Sequence, residues 1–225
     1  MFDKVKNYGQ VMTPDTIVNH MIDILNLTQK EINTSLFLDN SCGDGAFITG
    51  LLNRGIPKEH IFAIDIDADV IEKVQNILPS DNVILGSAFK QTEWFGKFDY
   101  VIGNPPYVRI HNLMPETKQE IEQYSYCFGM YDLYYAFYEL GQKFLKPTGS
   151  LLYISPLSFI QNTSGKKMRE DIEKNNLLWY FEDFTKEQLF DGFSTYTGIV
   201  GLSKVKTSIQ IPWSNTREKI GLSYE

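Results

Sequence analysis

The 225-residue sequence has little cysteine, little histidine, no long apolar run and fewer basic than acidic side chains. Its two cysteines, Cys42 and Cys127, are too few for a disulfide framework or a zinc cluster, and they indicate a reducing compartment. The three histidines have no metal-ligand spacing, so we expect no metal site. No apolar run approaches the ~20 residues of a membrane span, and the N-terminal residues lack the apolar segment of a secretory signal. We therefore expect a cytoplasmic protein without a membrane segment.

The charge balance argues against a free-standing nucleic-acid-binding protein. The chain carries 21 Lys and Arg against 28 Asp and Glu, a formal net charge of −7, whereas nucleic-acid-binding domains are usually basic. The acidic excess lies in residues 1–203, because residues 204–225 carry four basic and two acidic side chains. A nucleic-acid function of residues 1–203 would therefore need a basic region elsewhere.

Short apolar segments alternate with amphipathic helical segments along most of the chain. Brief apolar segments that end in Asp, Gly or Ser predict buried strands at residues 36–39, 61–65, 83–86, 100–103 and 151–155. Helices are predicted at residues 46–54, 68–78 and 131–145, the last of them ended by Pro147 and Gly149. This alternation is typical of a mostly parallel sheet with helices on both faces.

Two further strands are predicted at residues 177–181 and 196–202. No convincing crossover helix joins them, so one strand should be antiparallel, and we expect an α/β fold with about seven strands. A separate helix should precede the first strand, with Thr13 as a good N-cap and Pro14 in its first turn. Its apolar stripe is a packing surface formed by Ile17, Val18, Met21, Ile22 and Leu25.

A glycine-containing turn joins the first predicted strand to the helix that follows it. Residues 38–47 are Leu-Asp-Asn-Ser-Cys-Gly-Asp-Gly-Ala-Phe, in which Gly43 and Gly45 let the backbone approach a ligand at the helix N-terminus. Asp65 ends the next strand, where a carboxylate can accept hydrogen bonds from both hydroxyls of a ribose. Ile48 replaces the third glycine of the dinucleotide fingerprint, so a nucleoside without a pyrophosphate is favoured over NAD. A purely structural turn is the alternative for this segment alone.

The fourth predicted strand runs directly into Asn104, Pro105, Pro106 and Tyr107. The prolines make the backbone extended and rigid and remove two N–H donors, so carbonyl groups are left as acceptors beside the Asn104 side-chain oxygen. Open parallel sheets bind their ligands at such strand ends. The natural guest is a planar group with an exocyclic amino group, and a turn with a packed tyrosine is the structural alternative.

In this order, the motifs resemble those of the S-adenosylmethionine-dependent adenine-N6 DNA methyltransferases of bacterial restriction-modification systems. The resemblance is to the subgroup whose cofactor motif precedes Asn-Pro-Pro-Tyr. It covers about residues 8–204 through the segments 8–14, 38–47, 63–67, 99–108, 131–156 and 190–204. It implies a Rossmann-like class I methyltransferase fold, with residues 1–203 as the catalytic domain and residues 204–225 as a linker or the start of a target-recognition domain.

The resemblance also implies roles for individual residues. Tyr8, Thr13 and Pro14 would close over the methionine part of the cofactor. Asp39, Ser41 and Gly43 would hold its amino acid end, and Asp65 would bind the ribose. Ile66, Ser87 and Phe89 would contact the adenine, and Asn104 would also contact the cofactor. The catalytic segment would be Asn104, Pro105, Pro106 and Tyr107, with the Asn104 oxygen and the Pro105 carbonyl accepting the amino hydrogens of a flipped-out adenine. Tyr107 and Phe190 would stack on the two faces of the base. Phe193 and Tyr196 compete with Phe190 for that position, and core packing is its structural alternative.

The implied function is methylation of adenine N6 in double-stranded DNA, by direct attack and without a covalent enzyme intermediate. It would protect the host from a cognate restriction endonuclease. Three alternatives stay open: methylation of a glutamine amide in a release factor, methylation of ribosomal RNA, and a non-catalytic cofactor-binding subunit. A basic target-recognition domain or a partner subunit would have to read the DNA sequence. Residues 1–225 alone should therefore bind the cofactor but hold DNA weakly.

The end of the third predicted strand departs from the family pattern. Ser87 and Ala88 stand where the family usually has an acid that binds the amino group of the cofactor's adenine. A hydroxyl accepts only a neutral hydrogen bond, so we expect cofactor binding to be weaker by ~1–2 kcal/mol. Ser87→Asp should then tighten cofactor binding in calorimetry, and an unchanged affinity would contradict this expectation.

Overall fold

The computed structural model describes residues 12–184, 196–206 and 208–209. Its strands form one seven-stranded sheet in the order β3-β2-β1-β4-β5-β7-β6. The strands are β1 (Phe37–Asp39), β2 (Ile61–Asp65), β3 (Val83–Leu85), β4 (Phe98–Gly103), β5 (Leu145–Pro156), β6 (Leu178–Asp183) and β7 (Thr197–Ser203). Strand β7 is antiparallel to β5 and β6, and the other neighbouring pairs are parallel. The predicted sheet, with its one antiparallel strand, is confirmed.

Helices cover both faces of the sheet, as predicted. They are α1 (Asp15–Leu25), α2 (Gln29–Thr34), α3 (Ala46–Asn53), α4 (Ala68–Gln75), α5 (Pro115–Ile121), α6 (Tyr134–Phe144) and α7 (Lys166–Lys174). Successive residues of a strand point to opposite faces, so Phe37 packs with α1, α3 and α4, whereas Leu38 packs with α6 and α7. Each face therefore has its own apolar core. Within the described residues, no helix is long and apolar enough to cross a membrane.

Some boundaries differ from the prediction because strand pairing overrides the local signal. The helix predicted at residues 131–145 corresponds to α6, and β5 begins immediately after it at Leu145. Leu145 pairs with Phe98 of β4 across a register shift, so Pro147 and Gly149 lie inside the strand rather than in a loop before it. The sequence pattern also does not predict α2 or α5.

The N-cap prediction for Thr13 is wrong. Pro14 is the N-cap residue of α1, and no side-chain hydrogen bond from the described residues caps that end. The Thr13 hydroxyl instead accepts a hydrogen bond of 3.1 Å from Asn104 Nδ2. A tertiary contact thus takes the oxygen that a local cap would use. The apolar stripe of α1 is buried as predicted, through Val18, Met21, Ile22 and Leu25.

Gly50 of α3 allows α1 to pack closely against the helix that follows the glycine turn. A Cβ at this position would lie 2.6 Å from Val18 Cγ1 and 2.8 Å from Ile22 Cδ1.

We expect Gly50→Ala to lower the free energy of unfolding by about 1–3 kcal/mol through overpacking, although alanine has the higher helix propensity. Urea denaturation measures the change. Thr49→Ala, at an exposed position of the same helix, is the control, and a Gly50→Ala chain as stable as the parent would contradict the packing argument.

Candidate active site

The carboxyl ends of β3, β2, β1 and β4 lie side by side at one edge of the sheet. Asp39 ends β1, Asp65 ends β2, Ser87 lies two residues beyond β3, and Asn104 directly follows β4. Parallel neighbouring strands present their carboxyl ends at the same edge, where open α/β sheets bind ligands. The sheet topology therefore brings the predicted cofactor motifs and the predicted catalytic segment together.

The turn between β1 and α3 is built on left-handed glycines and is tied to β2. Gly43 has φ +50° and Gly45 has φ +83°, a region that glycine adopts without strain. Asp65 Oδ2 accepts a hydrogen bond of 2.9 Å from Gly43 N–H, and Asp65 Oδ1 accepts one of 2.9 Å from Asp67 N–H. Burial raises the pKa of Asp65, and these two N–H groups oppose the rise. A carboxylate has about four acceptor sites, so Asp65 retains capacity for ribose hydroxyls.

Asp39 is a buried carboxyl group at the end of β1. The residue is 1% exposed, and its Oδ1 accepts a hydrogen bond of 3.2 Å from Ser41 N–H. Its buried Oδ2 has no hydrogen-bond partner among the described residues. Burial raises the pKa of Asp39 to about 8, and the nearby Asp65 and Asp44 add to the rise. A bound cation would supply the missing partner and favour the ionised form.

Gly103, the last residue of β4, leaves room for this carboxyl group. A Cβ on Gly103 would lie 2.7 Å from Asp39 Oδ1, which is closer than carbon and oxygen atoms approach without a bond between them. Any larger residue at this position would displace the carboxyl group or the strand. The residue immediately before Asn104 is therefore part of the site, although its side chain is a single hydrogen atom.

Among the described residues, the side chain and the backbone carbonyl of Asn104 each contact a segment distant in sequence. Its Nδ2 donates to Thr13 Oγ1 at 3.1 Å, and Ser41 Oγ donates to its backbone carbonyl at 3.4 Å. The exposed Pro14 follows Thr13 at the start of α1. The structure thus joins the segment predicted to close over the methionine part of a cofactor to the predicted catalytic asparagine, and it orients the amide of that asparagine.

Tyr107 is anchored through both its hydroxyl and its ring. The hydroxyl donates to the carbonyl of Ile154 in β5 at 3.2 Å, and the ring packs edge-on against Tyr134 of α6 with centroids 6.3 Å apart. Burial raises the pKa of Tyr107 well above its ordinary value. Tyr107 is therefore a fixed, neutral aromatic group. Before it, Pro105 is buried and Pro106 is half-buried.

The residues predicted to contact an adenine ring have different environments. Ile66 is 54% exposed, although it directly follows the buried Asp65, so its apolar side chain lies open at the end of β2. Phe89 is 7% exposed and packs edge-on against Tyr124 at 5.3 Å and Phe137 at 5.1 Å. Its observed role is core packing, and its stacking on a cofactor stays a prediction.

Ser87 has a carboxylate neighbour that the sequence did not predict. Its hydroxyl donates to Glu120 Oε2 at 2.5 Å, from α5 and 33 positions further along the chain. Ser87→Asp would place two carboxylates in contact, so the structure no longer supports the expected tightening of cofactor binding in the parent chain. No local pattern indicates this contact, because it depends on how α5 packs across the end of β3.

A second unpredicted pair joins the glycine turn to β5. Asn40 is 1% exposed, and its Oδ1 accepts a hydrogen bond of 2.8 Å from the Tyr153 hydroxyl in β5. Its buried Nδ2 has no hydrogen-bond partner within the described part of the chain. The only sequence signal was a polar residue directly after a buried strand. A free donor beside Asp39 adds to the polar lining of this edge.

Some predicted site residues lie outside the described part of the chain. These are Tyr8, Phe190 and Phe193, and their roles stay predictions. Tyr196, the other competitor for the second stacking position, is 48% exposed just before β7. Among the described residues, no group of three or more His, Cys, Asp and Glu side chains could hold a metal ion.

Known proteins resemble this chain in both sequence and fold. The sequence profile of the Eco57I restriction-modification methylase family matches residues 20–190. The type II methyltransferase M.HincII of Haemophilus influenzae is 29% identical over 221 residues, covering 96% of this chain and 41% of that protein. The type II restriction enzyme and methyltransferase RM.Eco57I of Escherichia coli is 30% identical over 170 residues, covering 69% of this chain and 17% of that protein. The chain thus spans less than half the length of either relative.

The fold has a counterpart among solved structures. A Listeria monocytogenes protein described as a class I S-adenosylmethionine-dependent methyltransferase matches with a TM-score of 0.68 at 21% identity, covering 89% of this chain and 63% of that chain. At this identity the likeness concerns the fold alone, and it confirms the predicted class I methyltransferase architecture.

The buried carboxyl group of Asp39 predicts a pH dependence of stability. Its pKa rises from an ordinary 3.8 to about 8 in the folded chain, so between these values the folded chain holds a proton that the unfolded chain has released. The stabilisation that this proton gives the folded chain is complete below the unfolded pKa of 3.8. It is lost as the pH rises toward the folded pKa of about 8. We expect Asp39→Asn to remove this loss, which amounts to at most about 1.4 kcal/mol per pH unit.

Urea denaturation at about pH 5 and about pH 8 compares the parent with Asp39→Asn over this range. Glu72→Gln removes a carboxylate from an exposed position of α4 that does not contribute to the Asp39 pKa, so it is the control and should keep the parent's pH dependence. If Asp39→Asn lost as much stability as the parent between the two pH values, the raised pKa would be refuted.

Proposed function

The chain belongs to the Eco57I restriction-modification methylase family, and on that premise we propose that it transfers the methyl group of S-adenosylmethionine to the N6 amino group of an adenine in double-stranded DNA. The observation that carries the proposal is the convergence of Asp39, Asp65 and Asn104 at the ends of neighbouring strands. Such an edge can hold a nucleoside cofactor beside an acceptor for an amino group. The type II methyltransferases among the relatives support DNA methylation within a restriction-modification system.

The described residues fit S-adenosylmethionine. The buried Asp39 Oδ2, which lacks a hydrogen-bond partner among them, suits the cationic amino group of the methionine part. Asp65 keeps acceptor sites for the ribose hydroxyls, and the exposed Ile66 offers an apolar contact to the adenine ring. When bound, the cofactor supplies an electrophilic methyl group on a positively charged sulfur. The acidic side chains at this edge favour a cationic ligand electrostatically.

The segment of residues 104–107 is suited to hold an adenine that has left the base stack, which is how enzymes reach an amino group otherwise buried in pairing. We assign the Asn104 side-chain oxygen and the Pro105 carbonyl as acceptors of the two amino hydrogens, which would direct the nitrogen lone pair away from them. Tyr107 offers a rigid ring to one face of the base, and we assign Phe190 to the other. Each stacked base contributes roughly 1–3 kcal/mol.

The described cysteines do not suit a covalent route. Methylation at carbon 5 of cytosine requires a nucleophilic thiolate, but Cys42 is buried, and burial raises its thiol pKa well above the ordinary value. Burial also raises the pKa of Cys127 to about 12. Both thiols therefore stay protonated near neutral pH. This favours direct attack by an amino nitrogen, with catalysis by positioning and electrostatics.

The acidic charge of the chain bears on how DNA would be held. Contacts from Lys and Arg to phosphates supply most non-specific DNA affinity, and a formal charge of −7 is poorly suited to that role. We propose that a basic target-recognition region, in a longer protein or in a partner subunit, holds the duplex. A cognate restriction endonuclease would cut the unmethylated target, and a reducing cytoplasm is the proposed compartment.

Transfer of a radiolabelled methyl group from S-adenosylmethionine tests the proposal. Duplex DNA, transfer RNA, ribosomal RNA and a release factor are offered separately, at low salt because the chain should hold DNA weakly. Label recovered as N6-methyladenine in DNA would support the proposal. Label in RNA or in a release-factor glutamine would favour one of the alternative substrates, and cofactor binding without any transfer would favour a non-catalytic subunit.

Asn104→Ala removes the assigned acceptor and should lower the methyl-transfer rate by on the order of 10²-fold, as loss of one transition-state hydrogen bond does elsewhere. Because Asn104 also contacts Thr13, calorimetry should measure cofactor binding in parallel. Asn112→Ala, at an exposed position of the following segment, is the matched control. A parent-like transfer rate in Asn104→Ala would rule out the assigned role.

A further inference from the structure

Glu120, an acidic residue of α5, lies at the end of β3, where the strand itself contributes no acidic residue. Ser87 Oγ donates to Glu120 Oε2 at 2.5 Å, and Lys90 Nζ lies 2.9 Å from Glu120 Oε1. Within the described part of the chain, each carboxylate oxygen therefore has one partner and keeps further acceptor capacity. The Glu120 side chain is 16% exposed, against 72% for Lys90, so the carboxylate is sheltered but still reachable.

Glu120 lies at the end of β3, the strand that neighbours the carboxylate proposed for the ribose. Leu85 of β3 pairs with Asp65 of β2, Gly86 N–H donates to the Asp65 carbonyl at 2.8 Å, and Ser87 follows. Strand β2 has only two neighbours in the sheet, β1 and β3. The Asp39 carboxyl group proposed for the methionine part lies on the β1 side. A nucleoside held at its ribose by Asp65 therefore extends its base toward β3 and the Glu120 carboxylate.

The packing of α5 fixes Glu120 in this place. Ile121, the next residue, is fully buried. Tyr124, just beyond the helix, packs edge-on at 5.3 Å against Phe89 in the turn that follows β3. Glu122 is exposed on the same segment. The contact between Glu120 and Ser87 thus belongs to a packed interface, whereas Glu122 is an ordinary solvated acid.

We propose that Glu120 accepts a hydrogen bond from the exocyclic amino group of the cofactor's adenine and thereby selects adenine at that position. The inference rests on the proposed use of S-adenosylmethionine. A carboxylate only accepts hydrogen bonds, so it pairs with an amino group at C6 and repels the carbonyl oxygen that hypoxanthine carries there. Ser87 positions the carboxylate through its hydroxyl, and Lys90 balances its charge. Because α5 follows the Asn-Pro-Pro-Tyr segment, one stretch of chain serves both the cofactor base and the target base.

Calorimetric binding of S-adenosylhomocysteine and of its hypoxanthine counterpart, S-inosylhomocysteine, tests this assignment on the full chain. The parent should prefer the adenine compound. Glu120→Gln should weaken binding of S-adenosylhomocysteine about tenfold, as expected for one lost charged hydrogen bond. It should leave binding of S-inosylhomocysteine unchanged or tighter, because a glutamine amide can donate to a carbonyl. Glu122→Gln removes the same charge from an exposed position and should change neither affinity.

Ser87→Asp provides a second readout. In the parent it should weaken binding of S-adenosylhomocysteine, because two carboxylates in contact repel each other. In the Glu120→Gln background it should restore binding, because it returns an acid to the end of β3. A purely structural role for Glu120 predicts neither the change in base preference nor this rescue.

The possible failures are distinguishable. Equal losses for the two compounds in Glu120→Gln, or no loss for S-adenosylhomocysteine, would overturn the role of Glu120 and leave the cofactor assignment intact. If the parent chain bound neither compound, the proposed cofactor would be overturned together with this inference.

Discussion

A buried carboxyl group at the end of β1 constrains the whole candidate site. Asp39 has one oxygen held by Ser41 N–H and one without a partner among the described residues, and burial raises its pKa to about 8. Its surroundings are shaped around it, since Gly103 omits a side chain that would collide with it. Such a group is costly to bury in a cofactor-free chain. The same low-dielectric setting strengthens its attraction to a cation, so an unfavourable feature of the fold becomes a favourable one for binding.

The predicted catalytic segment is held by elements that are distant in sequence. The Asn104 side chain contacts Thr13 before α1, its carbonyl contacts Ser41 in the glycine turn, and the Tyr107 hydroxyl contacts Ile154 in β5. Two prolines stiffen the backbone between these contacts. A segment fixed in this way loses little conformational freedom when a ligand binds, and such preorganisation lets an enzyme hold reacting groups in a productive geometry.

Local signals failed where a tertiary contact offered a better partner. Thr13 is of a residue type favoured at N-cap positions, yet its hydroxyl accepts a hydrogen bond from Asn104, 91 positions away. Pro147 and Gly149 form a typical stop signal, yet they lie within β5 because the strand already pairs with β4 from Leu145 onward. Strand positions were otherwise predicted to within a few residues, because burial and terminal polar residues are patterns of short range.

The sequence by itself determined the α/β class, the number of strands, the antiparallel strand and the residue types at the strand ends. These follow from patterns a few residues long, which the chain carries whatever its tertiary packing. Only the tertiary structure decided which side chains meet at that edge. It joined Glu120 to Ser87 across 33 positions and Tyr153 to Asn40 across 113. Such contacts depend on where a helix or a neighbouring strand lies across the sheet, and no periodicity within a single segment encodes that placement.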